Sequence, residues 1–207
     1  MKEIDNVKQV ARIWFGDDTF FNLRKPVNDR VYAASSSKKC EIAANRLIFE
    51  KDRWDKKVMV TGYISKIGKG KLIFFKQGET VTAPVYRHVL KQHLKEIIRQ
   101  SGSSKFTFQQ DGATAHTERE NIVFAEKNVP DYIEKENWPG KSCDLNPLDY
   151  AIWGIMDQQV YKDVPCFDNI DQLKAKVGQV WKGLSQRVID NAIDQWRDRL
   201  TKVIEHD

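Results

Sequence analysis

The chain has 207 residues, of which 41% are hydrophobic and 30% charged, an ordinary composition for one large globular domain or two small ones. No apolar run approaches the roughly 20 residues that a membrane helix needs, so we expect no membrane partner. The N-terminal residues lack the apolar segment and the small-residue cleavage site of a signal peptide. Three widely spaced cysteines form no CxxC pair, which argues against a disulfide scaffold or a zinc ribbon and favours a reducing compartment.

The formal net charge of +5 is unevenly distributed along the chain. Residues 24–110 hold 19 Lys and Arg against 7 Asp and Glu, whereas the rest of the chain holds 15 against 22. A basic first half beside a more acidic second half is typical of a protein with a polyanionic partner. A solvated basic face explains the same composition equally well.

The first half of the chain predicts several strands. Residues 11–17 predict a strand that ends in an aspartate, and residues 30–35 predict another. Residues 57–65 are β-rich and almost uncharged, which is typical of a buried central strand. A turn at 66–71 leads into a strand at 71–78, so we expect an antiparallel meander. The polar, basic segment 36–56 predicts a long loop.

From Pro84 onward the apolar period becomes helical, and Ser101-Gly102 marks a natural stop. A strand at 105–111 again ends in an aspartate, and a short helix (117–128) and a strand (131–134) follow. Further apolar positions predict a helix starting at Asn146: Leu148, Ile152, Met156 and Val160.

The tail predicts two more helices, of which the last runs from a Ser185 cap through Ile189, Ile193, Trp196, Leu200 and Ile204. Its tryptophans, and Trp153 before it, are expected in the core. The order of elements predicts one mixed α/β domain over 1–207, with a basic loop region at 24–57 and C-terminal helices at 165–207.

Three aspartates stand out as candidate metal ligands: Asp17, Asp111 and Asp149. Two follow predicted strands, and ligands gather at strand ends in open α/β sheets. Asn146 is a favoured N-cap type and Pro147 suits the first helical position, which places Asp149 in the first helical turn. The helix dipole alone also favours an acid there. Together, however, three carboxylates beside a basic half-chain provide what two divalent ions need for phosphoryl transfer.

The chain resembles the catalytic domain of mariner-type transposases, which have the ribonuclease-H-like fold. "WFGDDTFFNL" resembles the strand of the first aspartate, "FTFQQDGATAHT" the second-aspartate motif and "WPGKSCDLNPLDYAIWG" the third. The last two motifs are long and in the right order, with 37 residues between Asp111 and Asp149. The family's third acid is Asp in some branches and Glu in others, so this chain resembles an Asp-Asp-Asp branch.

The resemblance implies a ribonuclease-H-like mixed sheet flanked by helices, and DNA cleavage and strand transfer with two Mg²⁺ or Mn²⁺ ions. Asp17, Asp111 and Asp149 would be the catalytic acids and metal ligands. Asp17 is preferred to Asp18 because "FGDD" aligns with a Phe-Ser-Asp-Glu pattern, although strand parity alone does not decide between them. His116 and Asn146 would support the metal ligands or face the DNA. The residues that bind nucleic acid are not predicted.

The expected partners are transposon-end and target DNA, and the chain could form a homodimer; no small-molecule substrate is expected. A DNA substrate implies the nucleus. We see no paired helix-turn-helix modules before the catalytic motifs, and several motif positions depart from the family pattern, among them Thr61, Tyr63 and Cys143. A catalytically silent, transposase-derived DNA-binding module therefore stays open as the alternative. Protein interaction through the C-terminal helices is a third reading.

Overall fold

The computed structural model describes residues 7–25, 56–133, 138, 143–164 and 166–206. Two predicted features, the strand at 30–35 and nearly all of the basic loop region 24–57, lie outside the described residues. Within them, no helix is long and apolar enough to cross a membrane.

A mixed sheet of six strands organises the described part of the chain. The strands are β1 (Ile13–Asn22), β2 (Lys57–Ser65), β3 (Gly68–Lys69), β4 (Ile73–Phe74), β5 (Thr107–Gln109) and β6 (Asp131–Tyr132). Their order is β3-β2-β1-β5-β6, and β4 pairs with β2 beside this path. β2 is antiparallel to β1, β3 and β4, whereas β5 is parallel to both β1 and β6. The buried strand at 57–65 is thus confirmed, as is its antiparallel pairing with the strands before and after it. The predicted strand at 30–35, which was part of the expected meander, is not among the described residues.

Helices surround this sheet. They are α1 (Val7–Val10), α2 (Ala83–Ser101), α3 (Arg119–Asn128), α4 (Trp153–Val160), α5 (Ile170–Gly183), α6 (Gln186–Asp194) and α7 (Trp196–His206). A 3-10 turn (Cys143–Leu145) and a π-turn (Leu148–Ile152) precede α4. α2 ends where predicted, at Gly102, whose φ of 58° lies in the left-handed region that favours glycine.

The alternation of side chains along β1 divides the core into two layers. On one face Ile13, Phe15 and Phe21 join the cluster formed by α4 to α7. We call this the Asp17 face. On the other face Trp14 joins the cluster formed by α2, β5 and α3. We call this the Asp18 face. A sheet covered by helices on both sides is the expected ribonuclease-H-like architecture, and the helical C-terminal end is also present.

Several boundaries differ from prediction. β4 and β5 are shorter than the predicted strands at 71–78 and 105–111, and β3 lies within the predicted turn at 66–71. β1 does not end at its acid: it continues to Asn22, because its pairing with β2 extends to Lys57 and Phe21 is buried. The helix expected from Asn146 begins with the π-turn at Leu148, and its four predicted apolar positions are all buried.

The predicted last helix is two helices, divided at Gln195. The Gln195 N–H bonds to the Ala192 carbonyl, which tightens the end of α6. Trp196 then opens α7, and its ring centroid lies 6.1 Å from that of Phe15. The apolar faces of α5 to α7 lie in the core except at Ile204, which is 59% exposed at the end of α7. Most of this surface therefore gives the protein-interaction reading no support.

Candidate active site

β1 carries two adjacent acids that point to opposite faces of the sheet. Asp17 pairs in register with Gly62 of β2, and Asp18 pairs with Thr61. Asp17 therefore lies towards α4, and Asp18 towards α2. Each acid meets a different set of partners.

Asn146 fixes the third acidic segment against β1. Its side chain is buried, and its Nδ2 donates a hydrogen bond to the Gly16 carbonyl at 2.9 Å. Its Oδ1 accepts one from the backbone N–H of Leu148 at 3.1 Å, as expected of a residue that caps a helix start. Because Gly16 precedes Asp17 and Leu148 precedes Asp149, this one amide holds the two acids together.

Asp17 and Asp149 form an interacting pair of carboxyl groups. Burial, and then the charge of Asp149, raise the pKa of Asp17 to about 8, against opposing hydrogen bonds that include one from Trp153. Burial also raises the pKa of Asp149, as does the charge of Asp111, although a hydrogen bond with Asp17 opposes this shift. The pair therefore shares a proton at neutral pH, as two close carboxyls do when they cannot both ionise.

Asp111 lies just after β5 and is held by His116. The Nδ1 atom of His116 is hydrogen-bonded to Asp111 Oδ1 at 2.5 Å, and its Nε2 lies 3.7 Å from Asp18 Oδ2. Burial acts to raise the pKa of Asp111, but the hydrogen bond and charge of His116, with the Ala113 N–H, lower it overall. Burial raises the pKa of Asp18, against a hydrogen bond from Thr61 and the charge of His116.

Buried aromatic and polar side chains support His116. Its ring stacks on Tyr86, with centroids 3.8 Å apart. The hydroxyl of Tyr86 donates to Gln110 Oε1, and Gln110 Nε2 donates to the Tyr132 hydroxyl at 2.9 Å. His116 was expected beside the acids, and this network explains how a loop histidine is held there.

The chain thus brings all the predicted site residues to one end of the sheet, but not into one ligand cluster. Asp149 forms a side-chain hydrogen bond with Asp17, and the charge of Asp111 raises the pKa of Asp149. Asp111 itself is hydrogen-bonded to His116. Among the described residues, no three His, Cys, Asp or Glu side chains are arranged to hold a metal ion. Asp17, which is partly buried, and Asp149, which is exposed, nevertheless fit a divalent cation, because a cation would relieve the repulsion between their neighbouring carboxylates.

Two contacts were not predicted from sequence. Trp153 was expected only as a core residue; it is buried, and its indole Nε1 also donates to Asp17 Oδ2 at 2.6 Å. Its position four residues after Asp149, on one side of the predicted helix, is the signal that could have indicated it. The contact between Asp18 and His116 joins distant parts of the chain and has no local signal.

Comparison with known proteins gives these contacts a context. No family model matches the chain. It is 26% identical over 194 residues to the Tc3 transposase of Caenorhabditis elegans, a match that covers 94% of this chain and 56% of that protein. It is 27% identical over 121 residues to the Tcb2 transposase of Caenorhabditis briggsae, covering 58% of this chain and 42% of that protein. The chain is thus similar in sequence to one nematode transposase over nearly its whole length and to another over more than half of it.

Solved structures agree on the fold. The catalytic domain of Mos1 mariner transposase superposes with a TM-score of 0.72 at 19% identity, covering 99% of this chain and 86% of that one. A pre-cleavage Mos1 transpososome superposes with a TM-score of 0.77 at 18% identity, covering 99% of this chain and 58% of that one. The chain therefore has the ribonuclease-H-like fold of the Mos1 catalytic domain. It spans about half the length of the curated relatives it matches.

Proposed function

We propose that this chain is a transposase domain that cleaves DNA and transfers strands by two-metal phosphoryl transfer, with the Asp-Asp-Asp set Asp17, Asp111 and Asp149. The observation that carries the proposal is the interaction between the carboxyl groups of Asp17 and Asp149, to which Asp111 adds a third charge. The homology to Tc3 transposase, whose matched region includes all three motifs, supports it.

Asp17 and Asp149 would hold divalent cations, Mg²⁺ or Mn²⁺, with Asp111. Mos1 transposase has been crystallised in paired-end complexes with either metal. When bound, a pair of such ions activates the attacking oxygen and stabilises the leaving oxygen. The chain's own contribution is to hold two carboxylates in contact through Asn146, so that their repulsion favours a cation at neutral pH.

To act as a metal ligand with Asp17 and Asp149, Asp111 must exchange its hydrogen bond with His116 for the metal ion. Its side chain is half-exposed, whereas that of His116 is buried and stacked on Tyr86. Rotation of Asp111 is therefore easier than movement of His116. His116 would then remain as a fixed hydrogen-bonding group beside the ligand.

The partner proposed for this site is DNA, as transposon ends and as target. One solved structure holds Mos1 transposase in a paired-end complex with its left transposon end. Another is the Mos1 strand transfer complex. By analogy we propose that this chain acts as one domain, as a homodimer, and in the nucleus.

Strand cleavage tests the proposal. With Mn²⁺, the chain should nick plasmid DNA and join a DNA end that carries a free 3′-hydroxyl, and Asp111→Asn should lower both rates at least about 100-fold. Asp144→Asn is the matched control, because Asp144 is exposed like Asp149 and belongs to the same motif region, but it lies before the Asn146-Pro147 pair. Undiminished cleavage by Asp111→Asn would contradict the assignment.

A second candidate is a DNA-binding module that no longer cuts. It is favoured by the engagement of Asp111 with His116 and by the lack of a three-donor cluster among the described residues. This reading predicts DNA binding that weakens steeply with salt, survives loss of any one of the three acids and occurs without nicking. Binding that does not depend on salt would count against it.

A further inference from the structure

Trp153 joins the helix of the third acid to the strand of the first. It is the first residue of α4, directly after the π-turn that carries Asp149, and only 7% of it is exposed. Its indole Nε1 donates to Asp17 Oδ2 at 2.6 Å. This bond is independent of the Asn146 link, which acts on the backbone of Gly16.

The choice of acceptor separates this indole from the other tryptophans that line the sheet. A buried indole N–H needs an acceptor, and a neutral one suffices. Trp181 donates to the Gly70 carbonyl at 2.8 Å, and Trp14 donates to the Ser101 hydroxyl at 3.0 Å. Trp153 alone among these three donates to a carboxyl group. That group becomes a charged acceptor, and so accepts a stronger hydrogen bond, when a cation replaces the proton that it shares with Asp149.

The packing around Trp153 leaves it little freedom. Its ring stacks on Trp181, with centroids 5.9 Å apart and planes inclined by 28°. Space for both rings comes from Gly62, the register partner of Asp17. A Cβ atom added at Gly62 would lie 3.2 Å from Trp181 Cη2 and 3.3 Å from Trp153 Cη2. The residue opposite the acid is therefore small where the two indoles approach the sheet.

We propose that Trp153 is a positioning residue, whose indole N–H holds one oxygen of Asp17 and so fixes the orientation in which that carboxylate meets a divalent ion. The proposal rests on the proposed function, because it needs Asp17 to be a ligand. Groups that orient a metal ligand in this way typically change metal affinity 10- to 100-fold when removed. Without the indole, Asp17 would rotate about its side-chain bonds and bind the ion less well.

Trp153→Phe tests the proposal, because phenylalanine keeps an aromatic ring against Trp181 and removes the N–H. The matched control is Trp14→Phe, which removes the N–H of another buried indole on the opposite face of β1. In calorimetric titrations with Mn²⁺, Trp153→Phe should bind at least about tenfold more weakly than the wild type. Trp14→Phe should stay within about twofold. Equal affinities for the two variants would overturn the proposal.

A metal-free measurement separates this proposal from the proposed function. The indole N–H resonance of Trp153, assigned through its contacts with Trp181, should move in Asp17→Ala, while that of Trp14 should not. An unmoved Trp153 resonance would overturn the proposal even if Trp153→Phe failed to fold. If the wild type bound no Mn²⁺, the proposed metal chemistry would fail, and the resonance would still decide whether Trp153 holds Asp17.

Discussion

The two faces of β1 hold their acids by different means. On the Asp17 face, Asp17 meets a second carboxyl, Asp149, and an indole donor, Trp153. On the Asp18 face, Asp18 and Asp111 lie on either side of one histidine. The two carboxyl groups of the Asp17 face repel each other, and a cation would relieve that repulsion. The acids of the Asp18 face already have His116 as a hydrogen-bonding partner. We therefore propose that a metal ion binds on the Asp17 face, and that the Asp18 face supports its ligands.

Among the substitutions that test the difference between the two faces, Gly16→Ala should cause the largest loss of stability. A Cβ atom at Gly16 would lie 2.0 Å from Tyr63 Cε1, and Tyr63 is buried on the Asp18 face. The ring must move, so we expect a loss of about 2–3 kcal/mol in the free energy of unfolding. In a thermal melt this corresponds to a drop of roughly 5–10 °C for a chain of this size.

Gly154→Ala is the control for that substitution. Gly154 lies in α4, and an added Cβ would meet no atom within 4 Å. Alanine is also the better helix former, so this variant should melt at the same temperature as the wild type or slightly higher. Equal melting temperatures for Gly16→Ala and the wild type would show that the Asp18 face is loosely packed.

We expect the stability of the folded chain to depend less strongly on pH than on the Gly16→Ala substitution. In the folded state the pKa of Asp17 is about 8, whereas its ordinary value is 3.8, so the folded chain binds the extra proton between these values. Without divalent ions the contribution of Asp17 to stability should therefore fall as the pH rises from about 4 to about 8. Burial lowers the pKa of His93 from 6.5 to about 3, which opposes this trend below about pH 6.5, so we expect the net stability to fall between about pH 6.5 and 8. Asp111, whose pKa is lowered, acts only below its ordinary value and outside this window.

Asp17→Asn should remove most of that pH dependence. We expect it to be about 1–3 kcal/mol more stable than the wild type at pH 8, since one pKa unit corresponds to about 1.4 kcal/mol and Asp149 shares the proton. Melting temperatures between pH 5 and 8.5, measured with a chelator present, check this. A wild type that becomes more stable between about pH 6.5 and 8 would contradict a pair of repelling carboxyl groups.

The sequence predicted the parts of the fold that have local signals. α2 follows from the period of its apolar residues and from the Ser101-Gly102 stop, and β2 follows from an uncharged β-rich run. The division between α6 and α7 could not be predicted, because no glycine or proline marks Gln195 and the apolar period continues across it. The continuation of β1 beyond Asp17 depends on pairing with β2, which a local pattern does not reveal.

The contacts of the candidate site were harder to predict from the sequence than the helices and strands were. The motif resemblance selected Asp17 over Asp18, whereas parity only placed them on opposite faces. The contacts that distinguish the two acids join residues far apart in the chain: Trp153 with Asp17, and His116 with Asp18. Such pairings follow from packing around Gly62 and Tyr86, which single-sequence patterns do not contain.

The most direct test of this account is a calorimetric titration with Mn²⁺ of the wild type, Asp17→Asn and Asp18→Asn, with Asp111→Asn and Asp149→Asn beside them. The account predicts saturable binding that Asp17→Asn, Asp111→Asn and Asp149→Asn each weaken at least about 100-fold, or about 2.7 kcal/mol. Asp18→Asn should weaken it less than about fivefold. Binding that is lost in Asp18→Asn and retained in Asp17→Asn would contradict the assignment of the metal to the Asp17 face.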